Sequence, residues 1–235
     1  MINNHRDASI EATDASSLKI WDLPVRVFHW SLVVLLGIAW WSAEQRALEW
    51  HRYAGYSILA LVLFRLLWGF FGSTTARFVQ FVSGPKRVFH YLRHELFVRK
   101  SARHHGHNPL GGWSVMVMLG LLLLQTVLGL FSVDVDGIES GPLSYLVSFD
   151  AGRTAAEIHA LVFNGLLIII GVHIVAVLFY RFYKHENLVS AMILGSKRWH
   201  GDIKPMLHFP PALRAVVLFA VSALAVFIMV KFFGR

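Results

Sequence analysis

Two histidines, His159 and His173, stand fourteen residues apart in the apolar stretch AAEIHALVFNGLLIIIGVHIVAV, residues 155–177. At 100° per residue, fourteen steps fall about 40° short of four full turns, so both imidazoles leave nearly the same helix face, about 21 Å apart axially. Two further histidines, His29 and His51, lie in or at the edges of other apolar stretches. Two facing imidazoles at equal depth in a helical bundle are what a low-spin b-type haem takes as axial ligands. Each ring must be neutral, and donating its other N–H to a carbonyl or water fixes its plane. A lone intramembrane histidine can equally be a hydrogen bonder between helices, and for each one singly that reading stays open. Four that sort together by depth fit unrelated structural roles poorly. Zinc fits less well, because closed tetrahedral sites gather four ligands at one point.

The elements that must carry these side chains follow from composition. Of 235 residues, 56% are hydrophobic and 15% charged, a balance that a soluble domain of this size cannot hide in its interior. Nearly uncharged stretches run over 27–43, 53–76, 109–133, 158–180 and 215–230. Each reads as a membrane span, although the fifth is short against the roughly 20 residues a helix needs. Long apolar runs without alternation do not suit barrel strands, so the expected fold is an all-α integral membrane protein: a four-helix transmembrane bundle plus a fifth C-terminal helix. A polar tail over 1–20, a bundle domain over 21–195 and an extension over 196–235 complete the organisation. The absence of cysteine excludes disulfides, thiolate-held iron–sulfur clusters and C-x-x-C-H haem attachment. The tail has no basic-then-apolar signal pattern, so the first apolar segment is expected to stay as an anchor.

Lysines and arginines set the orientation. With the N-terminus inside, sixteen face the cytoplasm and five the outside, while Arg65 lies within the second span. The net charge of +8 therefore reads as a topology signal; no basic face interleaved with aromatics points to nucleic acid. In this orientation His29 and His173 form an inner pair, and His51 and His159 an outer pair. PKRVFHYLRHELF, 85–97, reads as a basic interfacial helix with Val88, Leu92 and Leu96 on its apolar stripe. The outer 132–156 loop carries Asp134, Asp136, Glu139 and Asp150 against Arg153, which suits a basic or haem-exposing redox partner.

Supporting residues can be assigned on the same faces. Gly55 and Gly69, four and eighteen residues after His51, would let a flat macrocycle approach the second helix, or would serve ordinary small-residue packing. Haem propionates need cations: Arg65 and Arg26 could reach an inner haem, and Arg52 or Arg153 an outer one, with snorkelling as the other reading for Arg65. The third span has no histidine and reads as a wall. Trp21, Trp30, Trp50, Trp68 and Trp113 sit near span ends as interface anchors. His104, His105 and His107 could hold a metal, but in a basic loop they read as solvated.

WDLPVRVFHW, LEWHRYAGY, FRLLWGFFG, HNPLGGW and the paired histidines of the fourth span together resemble the bacterial cytochrome b-561 family, which includes the b-type subunits that connect nickel–iron hydrogenases to quinone. The resemblance covers roughly 20–195. It implies a four-helix core with two non-covalent haem b groups and His29, His51, His159 and His173 as the iron ligands. It implies electron transfer, in the bacterial inner membrane, between quinone and a partner such as a cytochrome c or a hydrogenase-type enzyme. A proton-coupled transporter and a haem-free anchor are the alternatives; the first would want inverted halves and an intramembrane carboxylate, which the sequence lacks.

Overall fold

The computed structural model describes residues 17–98, 106–136, 139–199 and 205–234. A short strand β1 (Ser17–Lys19) leads into α1 (Leu23–Glu44), whose N-cap Asp22 accepts a hydrogen bond from the Val25 backbone N–H at 2.7 Å, with Pro24 in the first turn. Helix α2 (Leu48–Phe71) returns antiparallel and stops at Gly72. A turn of helix α3 (Phe78–Phe81) and the basic α4 (Pro85–His94) follow. Asn108 caps α5 (Pro109–Phe131) by accepting from the Gly111 N–H at 2.7 Å, and Ser148 caps α6 (Phe149–Phe182) through Ala151 N–H. Then come α7 (Leu188–Leu194), β2 (Ser196–Arg198) and α8 (Ala212–Ile228), which continues through a wider π-helical turn over Met229–Phe233.

Five of these helices are long and apolar enough to cross a membrane. The fifth reaches 22 residues because its flanking residues extend the short apolar run, long enough for the hydrocarbon core at 1.5 Å per residue. Helix α2 is the centre of the bundle: 56% of its apolar window is buried, against 17% or less for the others, and it packs on α1, α5 and α8. Helix α6 packs on α5 and makes no comparable backbone approach to α1 or α2.

Some boundaries differ from the sequence reading. Helix α6 begins at Phe149 rather than 158, because Ser148 supplies a cap and Asp150 suits the first turn, so the loop between α5 and α6 is shorter than 132–156. Residues 72–76 leave the second helix, and Thr75 donates from its hydroxyl to the Ile20 carbonyl at 2.5 Å. Strands β1 and β2 form a small antiparallel sheet that the all-helical reading lacked. It is anchored by Gly195, left-handed at φ 81°, which ends α7 and whose carbonyl accepts from Ile20 and Trp21 N–H. The packed residue of α4 is Tyr91, with Leu92 exposed; Tyr91 and Tyr180 share a hydroxyl hydrogen bond, and Asn108 donates to Tyr180 at 2.5 Å. Trp30, Trp50 and Trp113 are exposed as interface anchors would be, but Trp21 and Trp68 are buried core residues.

Candidate functional site

Antiparallel packing brings the four histidines together in two pairs. At the end of the bundle that carries α4 and the sheet, here the basic end, His29 of α1 and His173 of α6 have ring centres 6.5 Å apart. At the opposite, acidic end, His51 of α2 and His159 of α6 are 6.0 Å apart. One metal held between two imidazoles with bonds of about 2 Å, and about 1.1 Å from each nitrogen to its ring centre, requires about 6.2 Å. Both pairs fit. Helix α6, which stands off from α1 and α2, meets each of them through a histidine.

The acidic-end pair is oriented by backbone. His51 Nδ1 lies 2.8 Å from the Ala39 carbonyl on α1, and His159 Nδ1 lies 2.9 Å from the Gln125 carbonyl on α5. A carbonyl only accepts, so both Nδ1 atoms carry the proton and donate, leaving each Nε2 with a free lone pair. Helix α5 is therefore more than a wall. Its Gly129 leaves room for the His159 ring: a Cβ there would stand 3.1 Å from His159 Cε1. On α2, a Cβ at Gly55 would meet nothing within 4 Å, so the backbone beside His51 is open to a flat ligand.

The basic end is rich in donors. His29 Nδ1, Arg65 Nη1, Arg26 Nε and His107 Nδ1 are buried and lack hydrogen-bond partners among the described residues. Arg65 is 3% exposed, with its guanidinium 5.3 Å from the Phe78 ring centre. Arg26 donates from Nη1 to the Ile193 carbonyl at 2.5 Å, bracing the end of α7. Asp22 is buried, its second oxygen accepting from Trp68 Nε1 at 2.9 Å. Buried donors of this kind are what a carboxylate-bearing cofactor would satisfy.

Other residues have different surroundings. Gly69 faces Phe78, whose ring fills the place where a Cβ would be. Arg52 is half-exposed and paired with Glu139 at 2.6 Å, and Arg153 donates to the Val133 carbonyl at 2.9 Å. His107 is not solvated. It packs between Trp21 and Phe81, with ring centres 4.7 and 4.6 Å away, because the chain folds back before α5 to lay it under the sheet-bearing end. Burial, then the positive charge of Arg65, then His173, hold its pKa down at about 3. His104 and His105 lie outside the described residues.

Leu166, seven residues from each α6 histidine, separates the two pairs. It is 2% exposed and packs with Ile58 and Val62 of α2 and Leu122 of α5. The pairs are two polar stations with an apolar layer between them.

Comparison with known proteins agrees with this architecture. The chain is similar to a protein of Rhizobium leguminosarum bv. viciae described as a probable Ni/Fe-hydrogenase B-type cytochrome subunit, 23% identical over 220 residues, with 80% of this chain and 91% of the relative covered. No solved structure matches. The family model described as prokaryotic cytochrome b561 matches residues 20–195, the stretch that begins at the buried Ile20 and contains both histidine pairs. The chain, a multi-pass membrane protein, thus belongs to the prokaryotic cytochrome b561 family of b-type cytochromes.

Proposed function

We propose that the protein is a di-haem b-type cytochrome of the bacterial inner membrane that carries electrons between the quinone pool and a redox partner in a respiratory chain. The observation that carries this reading is the pair of histidine pairs, with ring centres 6.5 and 6.0 Å apart, at the two ends of α6. His29 with His173, and His51 with His159, would hold the haem irons. Bound haem would supply a one-electron couple at each pair.

The chain's own residues do the rest. Ala39 and Gln125 fix the tautomers of His51 and His159, so that no proton need leave either ring on ligation. Arg65 and Arg26 supply positive charge at the basic end. Arg65 sits where burial strengthens its attraction for a propionate, and Gly55 opens the wall of α2. Leu166 and its apolar neighbours keep water from the space between the stations.

The sixteen-to-five distribution of cations supports a cytoplasmic N-terminus, with the basic end inside. The acidic loop between α5 and α6 would then face the periplasm and receive the partner. The relative's description favours a hydrogenase-type enzyme, with a basic cytochrome c as the other candidate. A reduced-minus-oxidised spectrum of the purified protein, with haem extraction, tests the reading: two b-type haems per chain are expected. Well-folded protein without a b-type spectrum would overturn it.

A further inference from the structure

Two buried donors at the basic end have no role in the histidine pair. Arg65 lies in an apolar helix, 3% exposed, with Nη1 unpartnered and no ion pair among the described residues. Asp22, a buried carboxylate at the same end whose charge Arg65 feels, makes its hydrogen bonds to the Val25 N–H and Trp68 Nε1 and forms no ion pair with Arg65 among the described residues. A buried guanidinium N–H left without an acceptor costs free energy that a distant charge does not repay.

His107 is the second donor. Its Nδ1 is buried without a partner among the described residues, and its ring packs at a tilt against Phe81. Phe81 packs on Phe78 at 5.8 Å, and Arg65 lies over the same Phe78 ring at 5.3 Å. Arg65 and His107 therefore flank one small aromatic cluster. Electrostatically they are neighbours too, since His107 feels the charge of Arg65 and, more weakly, that of His173.

We propose that Arg65 and His107 together receive a carboxylate buried at the basic end, beside the His29–His173 pair, and that a haem propionate is its source. The source rests on the haem reading of that pair. A carboxylate has two oxygens with lone pairs to spare, and one guanidinium N–H plus one imidazole N–H engage both. The two donors differ in kind: Arg65 supplies the fixed positive charge, and His107 supplies one directed N–H. A second source is available through a cavity of about 190 Å³ that His107 lines with Thr75, Gln80 and Arg87, by which a small soluble carboxylate could reach the imidazole.

The test uses the full-length chain in a His159→Ala background, which leaves the basic-end pair intact. Haem-free protein in micelles is titrated with haem or with haem dimethyl ester, which lacks the free carboxylates, and binding is followed by absorbance. With Arg65 and His107 present, the ester should bind at least about tenfold more weakly than haem. In Arg65→Met the two should bind nearly alike and in His107→Leu the preference should shrink several-fold, while His107→Gln, which keeps an N–H donor and controls for folding, should retain most of it. Equal affinities in the parent, with acetate raising the melting temperature of haem-loaded protein unless His107 is replaced, would keep the donor pair but assign its carboxylate to solution. Equal affinities with no acetate effect would overturn the pair. Failure of the parent to take up any haem would instead overturn the haem reading, and the propionate source with it.

Discussion

His51 and His159 face each other 6.0 Å apart, ring centre to ring centre, and each donates from Nδ1 to the backbone carbonyl of a residue on a neighbouring helix. The two rings are thus held by three other features of the bundle: the Ala39 carbonyl on α1, the Gln125 carbonyl on α5, and the bare backbone of Gly129 beside the His159 ring.

Gly129 is the sharpest point of attack, because a Cβ would already stand 3.1 Å from His159 Cε1. Gly129→Val should displace the ring, break its bond to Gln125 and abolish haem binding at the acidic end, leaving the basic-end haem bound. The haem-to-protein ratio should fall by about half. Retention of both haems would mean that the ring is free to move and that Gly129 serves only helix packing.

The histidine pairs were legible in the sequence because two independent signals converge on them. Cation distribution ordered the spans, and the fourteen-residue spacing placed two imidazoles on one face of α6. What escaped depended on contacts distant in the chain. His107 sits in a polar run, HHGH, and only the approach of Trp21 and Phe81 buries it. Strands of three residues leave no periodicity to read, so the β1–β2 pairing was invisible. Trp68 looked like an anchor because its partner, Asp22, is 46 residues away. The missed start of α6 had a local signal, Ser148 before Asp150, hidden by a search for uncharged residues alone.

His107 should make the protein acid-sensitive. Its pKa in the folded chain is about 3, below the ordinary 6.5, so the unfolded chain binds a proton that the folded chain refuses. The stability this contributes is fully present above pH 6.5 and is lost as pH falls from there toward 3. Melting temperature of the haem-free protein should therefore decline between pH 7.5 and 5, and the decline should be shallower in His107→Gln. Parallel declines in both proteins would assign the sensitivity to other groups.

Orientation is open to a direct check. A reporter inserted near Arg103 should be active in the cytoplasm, and one fused after Arg235 should be exported, as an odd number of spans requires. An exported Arg103 reporter would invert the bundle and exchange the sides on which quinone and partner are sought.

Pairing gives the most discriminating prediction, because the four histidines can be combined in ways that separate shared from independent sites. His159→Ala should lose the acidic-end haem and keep the other, since the two stations are about 21 Å apart along α6 and Leu166 packs between them. His51→Ala should match it, and the double His51→Ala/His159→Ala should be no worse than either, because removing one axial ligand already breaks the site. His29→Ala and His173→Ala should form a second group with the same behaviour at the basic end. A double taken across the groups, such as His29→Ala with His51→Ala, should lose both haems. Haem-to-protein ratios with redox titration across the four singles and three doubles measure this: about half the haem in each single, no further loss within a pair, and near-complete loss across pairs. Coincidence of His29→Ala and His51→Ala with their double would mean that these two share a site, and would overturn the pairing of His29 with His173 and of His51 with His159.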